Sequence, residues 1–159
     1  MEAARRAGPA DLDRLAELGR LARQELAAMD RGGPLFVGRE ATPAPVLDLD
    51  HPERVVVVGT IDEIAVGYAV GRVESLRDGG RLGVVEELYV EPDARGVAVG
   101  EEMMDDLLGW FGEQGCQGVD AMALPGARQT KNFFERSGFS ARLLVMHHKL
   151  GGGDDAVEA

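Results

Sequence analysis

Apolar residues change period several times along this chain, and each change marks an element. Leu12, Leu15, Ala22, Leu26 and Met29 recur at helical spacing, widened by Leu18 and Leu21. That predicts an amphipathic helix from Gly8-Pro9 to about residue 29, with proline at a first helical position where its missing N–H costs nothing. Gly32-Gly33-Pro34 ends it, and a weaker pattern at Ala3 to Ala7 predicts a short strand before it. Four of the seven prolines fall between Pro34 and Pro52. This stretch reads as irregular, with a short extended piece at Leu35 to Gly38, and either as a lid or one wall of a pocket or as a mobile connection with no role.

From Arg54 the pattern is β-branched: VVVVGTI, a turn at Asp62-Glu63, and a second strand from Ile64 to Leu76. Arg77-Asp78-Gly79-Gly80 is a stronger turn, and the strand after it runs to Val90, where Pro92 and Asp93 stop it. From Ala98 the helical period returns: Val99, Met103, Leu107 and Trp110 on one stripe, Gly100, Met104, Leu108 and Phe111 beside it. A strand follows at Gly118 to Leu124, then a helix from Ala127 to Ser137 capped by Gly138. A last strand is predicted from Ala141 to Leu150. Three antiparallel strands followed by strand–helix–strand–helix–strand describe one α/β domain over residues 1–150. Its sheet is mixed and mostly antiparallel, flanked by helices, and 151–159 is a flexible acidic tail.

Composition narrows the function classes. At 159 residues the chain can bury a sizeable single core. The net charge of -11, from 28 acidic and 17 basic residues, disfavours nucleic acid and anionic lipid as partners; it could favour a cationic ligand such as an amine, while keeping the protein in solution is the plainer reading of net charge alone. No apolar run is long enough to span a membrane and no signal-peptide pattern is present, so a cytoplasmic location is expected. Cys116 is the only cysteine, which leaves no intrachain disulfide and no cysteine metal cluster. It reads as a buried small hydrophobe. His51, His147 and His148 have no metal spacing, and no metal is expected.

Candidate chemistry gathers around the strand that ends at Val90. The junction Arg95-Gly96-Val97-Ala98-Val99-Gly100 hands a strand over to a helix N-terminus. Unpaired N–H groups and the helix dipole make such a place an anion site, and small residues let an anion reach the backbone. A plain strand–helix turn built from small residues is the alternative. Glu101 and Glu102 suit the helix start and are expected to point outwards. Glu86 and Glu87 are charges in an apolar strand, where a charge is costly without a purpose. Alternation sets Glu86 with Val84, Leu88 and Val90, and Glu87 with Val85 and Tyr89. Either carboxylate could accept a proton from an amine, and ion pairing at a sheet edge is the alternative for both.

The segment Glu86-Glu87-Leu88-Tyr89-Val90, then Arg95-x-x-Ala98-x-Gly100, then Asn132-Phe133-Phe134-Glu135-Arg136-Ser137-Gly138-Phe139 resembles the GNAT N-acetyltransferases. The resemblance covers about 54 to 150. It implies transfer of an acetyl group from acetyl-coenzyme A, the cosubstrate, to a small-molecule or peptide amine. The diphosphate would rest on the backbone of Arg95, Gly96, Val97, Ala98, Val99 and Gly100. The pantetheine arm and thioester carbonyl would rest on Leu88, Tyr89 and Val90, with Asn132 and Phe134 as further cofactor contacts. Glu86 matches the family's usual candidate base. Ala98 stands where the family has its first motif glycine. Phe134 stands where many relatives carry the tyrosine that protonates the leaving thiolate. That departure keeps open a coenzyme A-binding regulatory module without catalysis, or a structural domain with no ligand. A homodimer is a candidate assembly.

Overall fold

The computed structural model describes residues 1–39 and 48–151. Five strands, β1 (Glu2–Arg6), β2 (Arg54–Ile61), β3 (Ile64–Ser75), β4 (Arg81–Val90) and β5 (Gly118–Ala121), form one sheet in the order β1-β2-β3-β4-β5. The first four pair antiparallel and β5 joins β4 parallel. Among the described residues, four α-helices flank the sheet: α1 (Leu12–Ala27), α2 (Gly33–Arg39), α3 (Val99–Glu113) and α4 (Arg128–Arg136). The expected single α/β domain with a mixed, mostly antiparallel sheet is what forms. None of the described helices is long and apolar enough to cross a membrane.

The alternating strands feed two cores. Val55, Val57, Ala69, Val73, Val85 and Val90 meet Val99, Met103, Leu107, Trp110 and Phe111 of α3. Val56, Val58, Tyr68, Val70 and Tyr89, one residue out of phase, meet Leu15, Leu18 and Ala22 of α1 on the other face. Met103, Leu107 and Phe111 are fully buried, each contributing roughly 1.5–3 kcal/mol of burial. Phe111 lies so close to the sheet that a Cβ at Gly83 would sit 2.6 Å from its Cδ1. Only glycine lets α3 approach that closely.

Several expectations are corrected. The piece at Leu35 to Gly38 is helical, within α2, because Phe36 N–H bonds Gly32 O and Pro34 falls in the first turn, where proline is tolerated. The first helix is a 3₁₀ turn, Pro9–Asp11, followed by α1, which ends at Ala27. Of the stretch read as a lid, Pro34 to Pro52, residues 40–47 lie outside the described residues, as does most of the tail. The hairpin at Asp62-Glu63 forms with φ of 48° and 71°, both left-handed, as a two-residue primed turn demands.

The predicted last strand, Ala141 to Leu150, does not form. Residues 141–150 are outside any element and exposed along their length, and among the described residues they make no backbone hydrogen bond to the sheet. Arg142 is ion-paired to Asp120 of β5.

A second correction concerns β4. Val70 pairs with Glu87 but Gly71 pairs with Val85, so Glu86 is the extra residue of a β-bulge. The bulge resets the alternation. Leu88 and Val90 therefore lie on the α3 face with Val85, while Glu87 and Tyr89 lie on the α1 face. Glu86 shares that α1 face, because its partners Arg54 and Arg72 are in phase with Val56 and Val70.

Candidate active site

The bulge also marks where the sheet opens. Pairing of β4 with β5 stops at Val85 opposite Ala121, while β4 continues to Val90 beside β3 alone. Bulges bend a strand, and this one carries the second half of β4 away from β5. Glu91 N–H bonds Val66 O at 2.9 Å. Strand alternation then turns the backbone of Tyr89 towards β3 and the N–H and C=O of Leu88 and Val90 to the open edge. Of the three backbone positions expected to meet a thioester and pantetheine, Leu88 and Val90 present polar groups there and Tyr89 does not.

The loop after β4 brings a helix start to the same edge. A 3₁₀ turn, Pro92–Ala94, leads to Gly96, whose φ of 89° an L side chain rarely adopts. The first α3 amide to close a helical bond is that of Glu102, onto Ala98 O at 3.0 Å. The amides of 96–101 thus precede the helical ladder, at the positive end of the dipole. Gly96, Val97 and Ala98 are exposed, Val99 is buried, and Glu101 and Glu102 are exposed as expected. These backbone donors suit a diphosphate.

Two residues of the loop have further duties. A Cβ at Gly100 would lie 3.0 Å from Phe133 Cε1, so its small size serves the packing of α4 on α3. Arg95 donates from Nε to Val90 O at 2.8 Å, pairs with both oxygens of Glu25 on α1, and lies over the Tyr89 ring. The guanidinium is anchored at the edge of the opening, its charge already shared with a carboxylate.

Glu86 is held by Arg72 Nε at 2.8 Å and Arg54 Nη2 at 3.1 Å, its side chain only 9% exposed. Glu87 accepts from the Tyr68 hydroxyl at 2.8 Å. Burial of Tyr68, then the charge of Glu87 and its hydrogen bond, drives the phenol pKa far above its usual value, so the hydroxyl stays protonated as the donor. Tyr89 is also raised, by burial first and the charge of Glu25 next. The bulge that places both carboxylates on one face left no signal in the strand pattern except the paired glutamates themselves.

On α4, Phe134 is buried, its ring 5.8 Å from Phe133 and 5.4 Å from Phe139 between centroids. Gly138, φ 92°, caps the helix as expected. Asn132, Arg128 and Lys131 are exposed, and Lys131 approaches Glu135 at 3.9 Å. His51 accepts Glu53 N–H on Nδ1, a turn-forming role. Cys116 packs against the α3 core, and burial raises its thiol pKa. Among the described residues, no group of three or more His, Cys, Asp or Glu is placed to hold a metal.

The sequence matches the profile of the acetyltransferase (GNAT) family over residues 24–139. The chain belongs to that family. Solved GNAT-type structures share its fold. A Trypanosoma brucei acetyltransferase superposes with a TM-score of 0.67 at 22% identity, over 94% of this chain and 100% of that one. Glucosamine-6-phosphate N-acetyltransferase from Arabidopsis thaliana gives 0.67 at 18%, over 95% and 99%. AAC(6')-Iy, solved with the bisubstrate analogue CoA-S-monomethyl-acetylneamine, gives 0.69 at 15%, over 96% and 99%. A comparison with curated protein sequences finds no significant match.

Proposed function

We propose that this GNAT protein transfers the acetyl group of acetyl-coenzyme A to the nitrogen of a small-molecule or peptide amine. The observation that carries the reading is the open edge of β4 after Val85, lying beside the uncapped N-terminus of α3. Amides of 96–101 would hold the diphosphate, with Arg95 as a fixed flank. Leu88 and Val90 would hold the pantetheine arm, and an N–H of this pair would polarise the thioester carbonyl. Asn132 and Phe134 of α4 are the further cofactor contacts in this reading.

Acetyl-coenzyme A supplies an activated acyl carbon: the amine nitrogen bonds to it and the carbon–sulfur bond breaks. Glu86 accepts the proton that the amine must shed, directly or through water, while Arg54 and Arg72 fix the carboxylate in place. Phe134 has no proton to give, so the leaving thiolate takes its proton from water or another group. The net charge of -11 favours a cationic acceptor. AAC(6')-Iy and the Arabidopsis enzyme, whose names specify amino-sugar chemistry, make amino sugars a first class to try.

The second reading, a coenzyme A-binding module without turnover, is favoured by Phe134. Coenzyme A thiol release with a panel of amino sugars, polyamines and peptide N-termini separates the two. Amine-dependent release supports transfer. Binding of acetyl-coenzyme A, seen as a raised Tm, with no release supports the module. No binding overturns both.

A further inference from the structure

On the α1 face of the sheet the apolar pairs end at Val56 opposite Val70. Two residues further along, Arg54 stands directly opposite Arg72, and Arg72 stands opposite Val84, beside the bulge. Like charges facing each other across two strands repel, and an anion between them relieves the repulsion. Glu86 supplies one carboxylate. Both arginines use the same oxygen of it, with Arg72 Nε at 2.8 Å and Arg54 Nη2 at 3.1 Å from Oε1. Neither contact is the two-bond fork that a guanidinium makes with a matched carboxylate. Arg72 turns Nη1 to Glu74 at 3.3 Å, and Arg54 makes no other side-chain hydrogen bond among the described residues. The Glu86 side chain is 9% exposed against 26% for Arg54 and 34% for Arg72, so the donors reach further out than the base.

Two cations around one base decide what can approach it. An amine nitrogen that gives its proton to Glu86 brings the next few bonds of its own molecule against Arg54 and Arg72. A second ammonium there would be repelled, whereas an acid would gain charge-assisted hydrogen bonds. Glu74 holds Arg72 weakly, since exposed pairs contribute little, so a substrate acid can take its place. Strands lie ~4.8 Å apart, which keeps the acid within a few bonds of the nitrogen. Resting on the transfer reading above, we propose that Arg54 and Arg72 select an acceptor with a carboxylate one or two carbons from its amine. That is a free α- or β-amino acid rather than a polyamine, an aminoglycoside or a peptide N-terminus.

Coenzyme A release should be compared among free amino acids, their carboxamides and polyamines, with acetyl-coenzyme A as donor. The amino acids should exceed their carboxamides by at least about tenfold in kcat/KM, mainly through KM. Arg54→Gln and Arg72→Gln should each bring that ratio close to one. Loss of either arginine also loosens Glu86, but this slows acid and carboxamide alike, so the ratio isolates recognition. Arg72→Lys keeps the charge and should keep part of the preference. The ratio in the parent needs no variant to fold. A parent that acetylates carboxamides or polyamines as well as amino acids would overturn the selection and leave the transfer reading standing. An amino-acid preference that survives both glutamine substitutions would do the same. No release from any amine would sink the transfer reading and this inference with it.

Discussion

Arg95 and Glu25 form a two-oxygen ion pair, 2.8 and 3.1 Å, that ties the loop before α3 to the last turn of α1. The pair has a consequence for anion binding, because it neutralises the loop's only fixed positive charge. Glu25→Ala would release the guanidinium. Acetyl-coenzyme A should then bind several-fold more tightly by calorimetry, while stability falls by less than about 1 kcal/mol, since both partners are more than a third exposed. An unchanged Kd would show that Arg95 takes no part in holding the diphosphate.

Glu86→Gln keeps size and removes basicity. Turnover near neutral pH should fall by about 10²–10⁴ and recover partly at high pH, where free amine is abundant. A carboxylate that only anchored Arg54 and Arg72 would lower Tm without changing the shape of the pH profile. Glu87→Gln should cost less, because Glu87 already accepts from Tyr68.

Phe134→Tyr adds the hydroxyl that many relatives carry, on a ring already fixed between Phe133 and Phe139. If thiolate protonation limits the rate, kcat should rise with little change in the Kd for acetyl-coenzyme A. A slower enzyme would mean that the hydroxyl finds no partner in its packed site.

The Asp62-Glu63 turn offers a stability test. Glu63 holds φ at 71°, a strained conformation for a residue with a Cβ. Glu63→Gly relieves it and should raise stability by about 0.5–1 kcal/mol, seen as a Tm higher by roughly 2 °C. Asp62 is best left in place, since it pairs with the N-terminal ammonium.

Asp11 supplies the pH dependence. Hydrogen bonds from Arg5 and from Gly8 N–H hold its carboxyl pKa below the usual value. A depressed folded-state pKa contributes stability above the unfolded value and loses it as pH falls through the folded one. Asp11→Asn should therefore cost about 1 kcal/mol at pH 7. The gap between parent and variant in urea melts should close as pH falls from about 4. A gap that persists at the lowest pH would assign the loss to packing.

Local pattern alone determined most of the architecture. The helical stripe of α3, the two-residue and glycine turns around β3, and the Gly138 cap are short-range features, because period, propensity and allowed φ act within a few residues. The loop from Arg95 to Gly100 was legible for the same reason: a strand that stops and a helix that starts must leave amides unpaired between them. Tertiary structure decided the rest. The bulge at Glu86 depends on how β3 and β4 align, and it alone puts Glu86 and Glu87 on one face and parts β4 from β5. Gly100 looked like room for a phosphate and proved to be room for Phe133, a contact between residues distant in sequence. Residues 141–150 have strand sequence, yet a strand exists only where an edge receives it, and among the described residues they make no backbone hydrogen bond to the sheet although Arg142 pairs with Asp120 of β5.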